Sequence, residues 1–172
     1  MKQPIQIKAI ALIALAFALT LNGCSTARLH HYVLAATYSS NYSEDYIHDY
    51  SILTVDGKET GLGSIQVDKF SEGGTGSEEC CSLIPGVGKT IRVVWRVQYS
   101  NDNSKDKTFS KDVVILGRLP VKTNSDNHLL VRFFPNHQIE AEMLSVSNST
   151  HQPDPRTDQL FYGIHVMRHF GE

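Results

Sequence analysis

Between Thr90 and Tyr99 the side chains alternate, with Ile91, Val93, Trp95, Val97 and Tyr99 on one side and Arg92, Val94, Arg96 and Gln98 on the other. A helix would scatter this set around its surface, whereas a strand sends successive side chains to opposite faces. The stripe therefore predicts a strand with one buried face and one polar-leaning face. Similar runs occupy Tyr32–Tyr38, Tyr50–Val55, Ser64–Phe70, Phe109–Leu116, His128–Phe134 and Gln138–Val146. Turn-forming residues separate them, among them Asp56-Gly57, Asn101-Asp102-Asn103 and Asn124-Ser125-Asp126. The pattern predicts a mainly β, single-domain antiparallel sandwich or barrel of about seven short strands. Over Asp158–Phe170 two readings stay open. Leu160, Ile164 and Met167 keep the spacing of a short C-terminal helix, while Gly163 and the aromatic and β-branched content favour a strand.

The N-terminus has a different character. Lys2 and Lys8 precede an apolar run from Ala9 to Leu21, too short to span a bilayer comfortably and laid out like a secretory signal. It ends in Leu21-Asn22-Gly23-Cys24, which resembles the lipobox of bacterial lipoproteins, with Asn22 departing from the usual small apolar residue. That resemblance implies a signal peptide over 1–23, lipidation of Cys24 and a linker over 24–31, followed by the β domain over 32–172. Ser25 beside the lipidated residue then implies the periplasmic face of the outer membrane. A mature domain of about 150 residues buries enough surface to support its own core.

Charge narrows the partners. Sixteen Lys and Arg stand against eighteen Asp and Glu, a formal net charge of −2, and removal of Lys2 and Lys8 makes the mature chain more acidic. No basic patch is available to hold a nucleic acid through its phosphates.

Familiar catalytic patterns are incomplete. Pro85-Gly86-Val87-Gly88-Lys89-Thr90 mimics the end of a phosphate-binding loop, but Leu83 stands where its first glycine belongs and a strand follows where a helix is required. Ser64 and Ser77 follow glycines outside the Gly-x-Ser-x-Gly elbow of hydrolases. His165 and His169 share a helical spacing without a third ligand at metal-binding spacing. The sequence assigns no catalytic residue, cofactor or metal, and reads as a protein that is not an enzyme.

Cys80 and Cys81 remain once Cys24 is lipidated. Adjacent Cα atoms lie about 3.8 Å apart, short of the roughly 4.4–6.8 Å usual between disulfide partners. Two unbridged side chains on opposite faces of a strand, or a strained vicinal disulfide formed in an oxidising compartment, are both open.

Gly61 and Gly63, then Gly73-Gly74-Thr75-Gly76, Cys80-Cys81, Leu83-Ile84-Pro85-Gly86, Val94-Trp95 and Phe133-Phe134-Pro135-Asn136-His137 follow one another along the chain. In this order they resemble a family of small bacterial lipoproteins, long described as a domain of unknown function, over about Tyr32 to Pro155. Pro85-Gly86-Val87-Gly88 is shorter than the corresponding stretch of that family. Its members are similar to immunity proteins of type VI secretion phospholipase effectors. The resemblance implies a binding protein that shields the producing cell from a membrane-degrading toxin. A partner-binding loop is then expected over 71–79, with Glu72, Gly73, Gly74, Glu78 and Glu79, whose carboxylates would steer a basic enzyme surface. The alternatives are a structural or assembly lipoprotein of the envelope and a lipoprotein that binds a small ligand in its β core. Phe133 and Phe134 need no ligand: facing opposite ways on a strand, one is expected in the core, with Pro135 ending the pairing and Asn136 turning the chain.

Overall fold

The structure, a computed structural model, describes residues 32–72, 81–98, 106–118, 126–146 and 167–171. The chain divides into two compact units, Met1–Tyr32 and Val33–Glu172. Apart from Tyr32 the first unit lies outside the described residues, as do the expected signal peptide, Cys24 and the linker.

Among the described residues the chain forms nine strands. They are β1 (Tyr32–Asn41), β2 (Tyr46–Thr54), β3 (Glu59–Val67), β4 (Ser71–Glu72), β5 (Ser82–Pro85), β6 (Thr90–Gln98), β7 (Lys107–Gly117), β8 (Asp126–Phe134) and β9 (Gln138–Val146). The seven strands expected from periodicity are all present, with β3 starting earlier than its apolar run. The two short ones, β4 and β5, have too few residues to show a period.

The strands form one sheet in the order β3-β2-β6-β7-β9-β8-β1-β4, with β5 also paired to β1. β5 packs against β3 as well, where a Cβ added at Gly61 would stand 3.3 Å from Ser82 Oγ. The sheet thus curls until β5 bridges its two sides, giving a nearly closed barrel, which leaves few free edges. Most seams are antiparallel, as expected, but two run parallel. β1 lies along β8 from Ala36↔His128 to Asn41↔Phe133, and β7 meets β9 at Ile115↔Ala141, Leu116↔Glu142 and Gly117↔Met143. Side-chain alternation is identical in both directions, so periodicity carries no sign of this. Gly117 makes the second parallel seam possible: its φ is +102°, and a Cβ there would lie 2.4 Å from the Met143 carbonyl oxygen.

The barrel interior is a continuous apolar cluster. Ile91, Val93, Trp95 and Val97 of β6 meet Tyr50 and Ile52 of β2, Leu129, Val131 and Phe133 of β8, and Ala141 and Met143 of β9. Burial of each large apolar side chain contributes about 1.5–3 kcal/mol. The Phe133 ring makes edge contacts with Tyr50, at 5.3 Å between centroids, and with Trp95, at 6.1 Å. Tyr50 brings a hydroxyl into this interior, 3.2 Å from Thr37 Oγ1. Burial pushes its pKa up to about 12.

β8 is buried on both faces. Leu129, Val131 and Phe133 point inward, and Leu130, Arg132 and Phe134 on the outer face are equally inaccessible. Both phenylalanines of the Phe-Phe-Pro-Asn stretch are therefore buried, where the sequence led us to expect one in the core. Phe134 stacks on Tyr42 at 5.4 Å and on Phe170 at 5.2 Å, with Met167 packed beside them. Pro135–His137 form a tight 3-10 turn joining β8 to β9, with Asn136 at φ 60° as its turning residue. His137 stacks on Phe109, 3.9 Å between ring centroids. The described end of the C-terminal stretch, Met167–Gly171, is turn and irregular chain rather than helix or strand.

Candidate interaction surface

The outer surface of β3, β2, β6 and β7 stays open to solvent. On β6 the alternation of Ile91 to Val97 buries the odd-numbered residues and turns Arg92, Val94 and Arg96 outward. The antiparallel registers then align outward side chains in three rows across four strands. One row is Ile65, Asp49, Arg96 and Thr108; the next is Gly63, Ser51, Val94 and Ser110; the third is Glu59, Leu53, Arg92 and Asp112.

The middle row consists of small residues, so the surface dips there. A groove of about 550 Å³ runs over it, lined among others by Asp49, Ser51, Gly63, Ile65, Val94 and Arg96. Gly63 cannot be replaced without moving backbone: a Cβ would meet the Tyr50 carbonyl oxygen at 2.3 Å. A register irregularity between Ile47 and Asp49 places His48 and Asp49 where one residue would pair with β6. A bulge of this kind re-aims side chains, and here Ile47 and Tyr50 both keep their places in the core while Asp49 reaches Arg96.

The walls of the groove are charged and internally matched. Arg96 Nε donates to both carboxylate oxygens of Asp49 at 2.8 and 3.0 Å, and Nη2 donates to Oδ2 as well. Asp106 Oδ2 stands 3.9 Å from Arg96 Nη1 and 3.8 Å from His48 Nδ1. In the third row, beside the groove, Arg92 forms a two-point bond with Asp112 at 2.6 and 3.0 Å. The guanidinium of Arg96 holds the Asp49 carboxyl below its ordinary range, and that of Arg92 does the same for Asp112. The charges are thereby fixed in place before any partner arrives, an arrangement suited to recognition of a complementary surface. Ser64 also lines the groove, but it sits within β3 opposite Tyr50, on a strand rather than on a strand-to-helix elbow.

The residues singled out from sequence lie elsewhere. Cys24, Gly73, Gly74, Glu78, Glu79 and Cys80 fall outside the described residues, as does His165. Glu72 is the last residue of β4, its backbone paired with Ser40 of β1. Cys81 is disulfide-bonded, at φ 75°, and the other two cysteines of the chain, Cys24 and Cys80, lie outside the described residues. His169 engages Glu140, Nδ1 to Oε2 at 3.0 Å. Asn41 at the end of β1 is fully buried and holds a corner: its amide donates to the carbonyls of Asp45 and Asp68 while its oxygen accepts from Ser43. The groove residues escaped the sequence reading because Asp49 and Arg96 are 47 positions apart and meet only through strand register. The visible signal was the pair of arginines flanking Val94 on the polar side of β6.

This is a β-barrel with a filled interior and a built outer surface. A family described as "Protein of unknown function (DUF3304)" matches residues 40–141, and the chain belongs to that family. Neither the curated proteins nor the solved structures contain a match.

Proposed function

We propose that the chain is a periplasm-facing outer-membrane lipoprotein that acts as an immunity protein, binding and neutralising a phospholipase effector of a type VI secretion system. The observation that carries this reading is the open face of β3, β2, β6 and β7, with a groove whose floor is small, whose wall carries the Asp49–Arg96 pair, and beside which Arg92 and Asp112 form a second bidentate pair. A protein that works by docking needs such a surface. The lipobox-like Leu21-Asn22-Gly23-Cys24 and the ordered series of motifs from Gly61 to His137 support the rest. The interior cluster of aromatic and aliphatic side chains favours a surface binder over a carrier of small ligands in the β core.

The lipid at Cys24 would hold the inhibitor at the membrane its target attacks, raising its effective concentration there. The loop over 71–79, with Glu72, Gly73, Gly74, Glu78 and Glu79, remains the expected site of first electrostatic contact, and its acidic residues would steer a basic enzyme surface. Titration of the mature chain into the phospholipase encoded nearest to it tests the reading, with heat of binding and residual lipase activity followed together. Tight binding with loss of activity is expected. A demonstrably active lipase that neither binds nor slows would overturn it and leave an envelope lipoprotein of another role.

A further inference from the structure

The strand directions define two ends of the barrel. β1 enters at Tyr32 and β8 runs parallel to it, so β8 starts at the same end; β9 and its parallel neighbour β7 finish there. β6, antiparallel to β7, starts there at Thr90, and β2 finishes there and turns through Val55–Lys58 into β3. The turn before β6 closes on the same end, where Gly88 N donates to Ile115 O at 2.8 Å and Ile115 N to Lys89 O at 2.9 Å.

This entry end is unusually apolar at its rim. Leu34, Val55, Leu83, Val114 and Leu116 are each between 43% and 63% exposed. Leu83 belongs to this end because its neighbour Ser82 sits beside Gly61, close to the start of β3. Lys58, Lys89 and Arg118 are exposed at the same rim, together with the carboxylates of Asp56 and Glu59. The opposite end carries Glu44, Asp45, Asp68 and Asp106 against Lys69 and Lys107, with Phe70 and Phe170 as its exposed aromatics.

We propose that the entry end of the barrel rests on the phospholipid surface to which the chain is tethered, with the rim apolar side chains inserted at the headgroup boundary. The inference rests on lipidation of Cys24. From Cys24 to Tyr32 the chain spans at most about 28 Å fully extended, so β1 cannot begin far from the bilayer. Apolar side chains spaced around a rim, rather than massed in one patch, suit a planar apolar–polar boundary better than a protein pocket. The three cations suit anionic headgroups, and Asp56 and Glu59 temper that attraction, so the apolar contacts dominate and salt has little effect. Seated this way, the acidic end is turned away from the membrane.

The full-length lipidated protein is reconstituted into vesicles of phosphatidylethanolamine and phosphatidylglycerol carrying brominated acyl chains. Tryptophan is introduced at the rim by Leu83→Trp or Leu116→Trp, and at the far end by Phe70→Trp. All three sites are exposed, and the native Trp95 is buried as a constant background. Emission from either rim variant is expected to fall about two-fold, since side chains inserted roughly 5–10 Å reach the bromines, while Phe70→Trp is unchanged. Protein that stays with the vesicles but shows equal quenching at both ends, or none at either, overturns the orientation while leaving the anchor standing. Protein that fails to remain with the vesicles overturns the anchor, and the orientation with it.

Discussion

The sheet has two outward surfaces built from the same alternation yet treated in opposite ways. Over β3, β2, β6 and β7 the outward side chains are exposed, and the charged ones among them are paired at the surface. Over β8, β9 and the second half of β1 most outward side chains are buried, Arg132 and Glu142 included, and these two form an ion pair of 2.8 Å with almost no solvent access. The C-terminal segment lies along this second surface: Met167 packs on Phe134, Arg168 approaches Glu142 at 4.0 Å, and the Phe170 amide donates to Glu140 at 3.2 Å. Identical chemistry therefore has different weight on the two sides. A guanidinium–carboxylate pair in water contributes little, whereas removing one partner from a dry pair strands a charge. The covered surface is committed to stability, and the open one is free for recognition.

The sharpest way to break this contrast is Arg132→Met, which takes the 2.8 Å partner from the buried Glu142 and leaves Arg168 beside it at 4.0 Å. A loss of about 3–5 kcal/mol is expected in urea unfolding. The double change Arg132→Met with Glu142→Leu should recover most of it, and a double variant as unstable as the single one would count against burial as the cause.

Beneath the open surface, Tyr50 gives an alkaline signature. Its folded pKa of about 12 lies above the ordinary 10.0, so the protonated hydroxyl favours the folded state. That contribution is complete below pH 10 and is lost as the pH rises towards 12, on the order of 2–3 kcal/mol in all. Unfolding followed across this window should steepen in the native chain and flatten in Tyr50→Phe.

Gly63→Ala probes the groove floor. The added methyl must push β3 away from the Tyr50 carbonyl, and a cost of about 1–3 kcal/mol is expected, with partner affinity falling alongside. Equal affinity at reduced stability would place the recognition elsewhere on the surface.

The smallest effect belongs to Asp49→Asn. Loss of an exposed pair with Arg96 should cost less than about 1 kcal/mol at neutral pH. Because the Asp49 carboxyl is held below 3.8, its contribution is present above that value and fades as the pH falls through the depressed folded pKa. An acid limb unchanged by the substitution would show that the pair contributes nothing to stability.

The contrast itself was only half legible in the sequence. The stripe at Thr90–Tyr99 announces one dry and one wet face, and β6 has them. His128–Phe134 reads as a strand too, but its outward Leu130, Arg132 and Phe134 look like a mixed surface, whereas all three are buried and Met167 and Phe170 pack on Phe134. Arg132 and Glu142 are ten positions apart and carry no motif, so nothing local marks them as a buried pair. The groove was hidden for a similar reason, since Gly63, Ser51 and Val94 become neighbours only once three strands are in register. The parallel seams escaped because alternation has no direction.

One of those seams bears on when the barrel can form at all. Thr37 of β1 donates its hydroxyl to the carbonyl of Leu129, 92 positions further on, and β1 follows β8 over six consecutive pairs. Closing so large a loop is costly in chain entropy and slow. The first strand to leave a ribosome or a translocation channel is thus among the last to find its main partner. A chain stopped after β7 would leave β1 beside the short β4 and β5 but without its long partner β8, and a chain still being threaded cannot close its barrel until nearly all of it has passed.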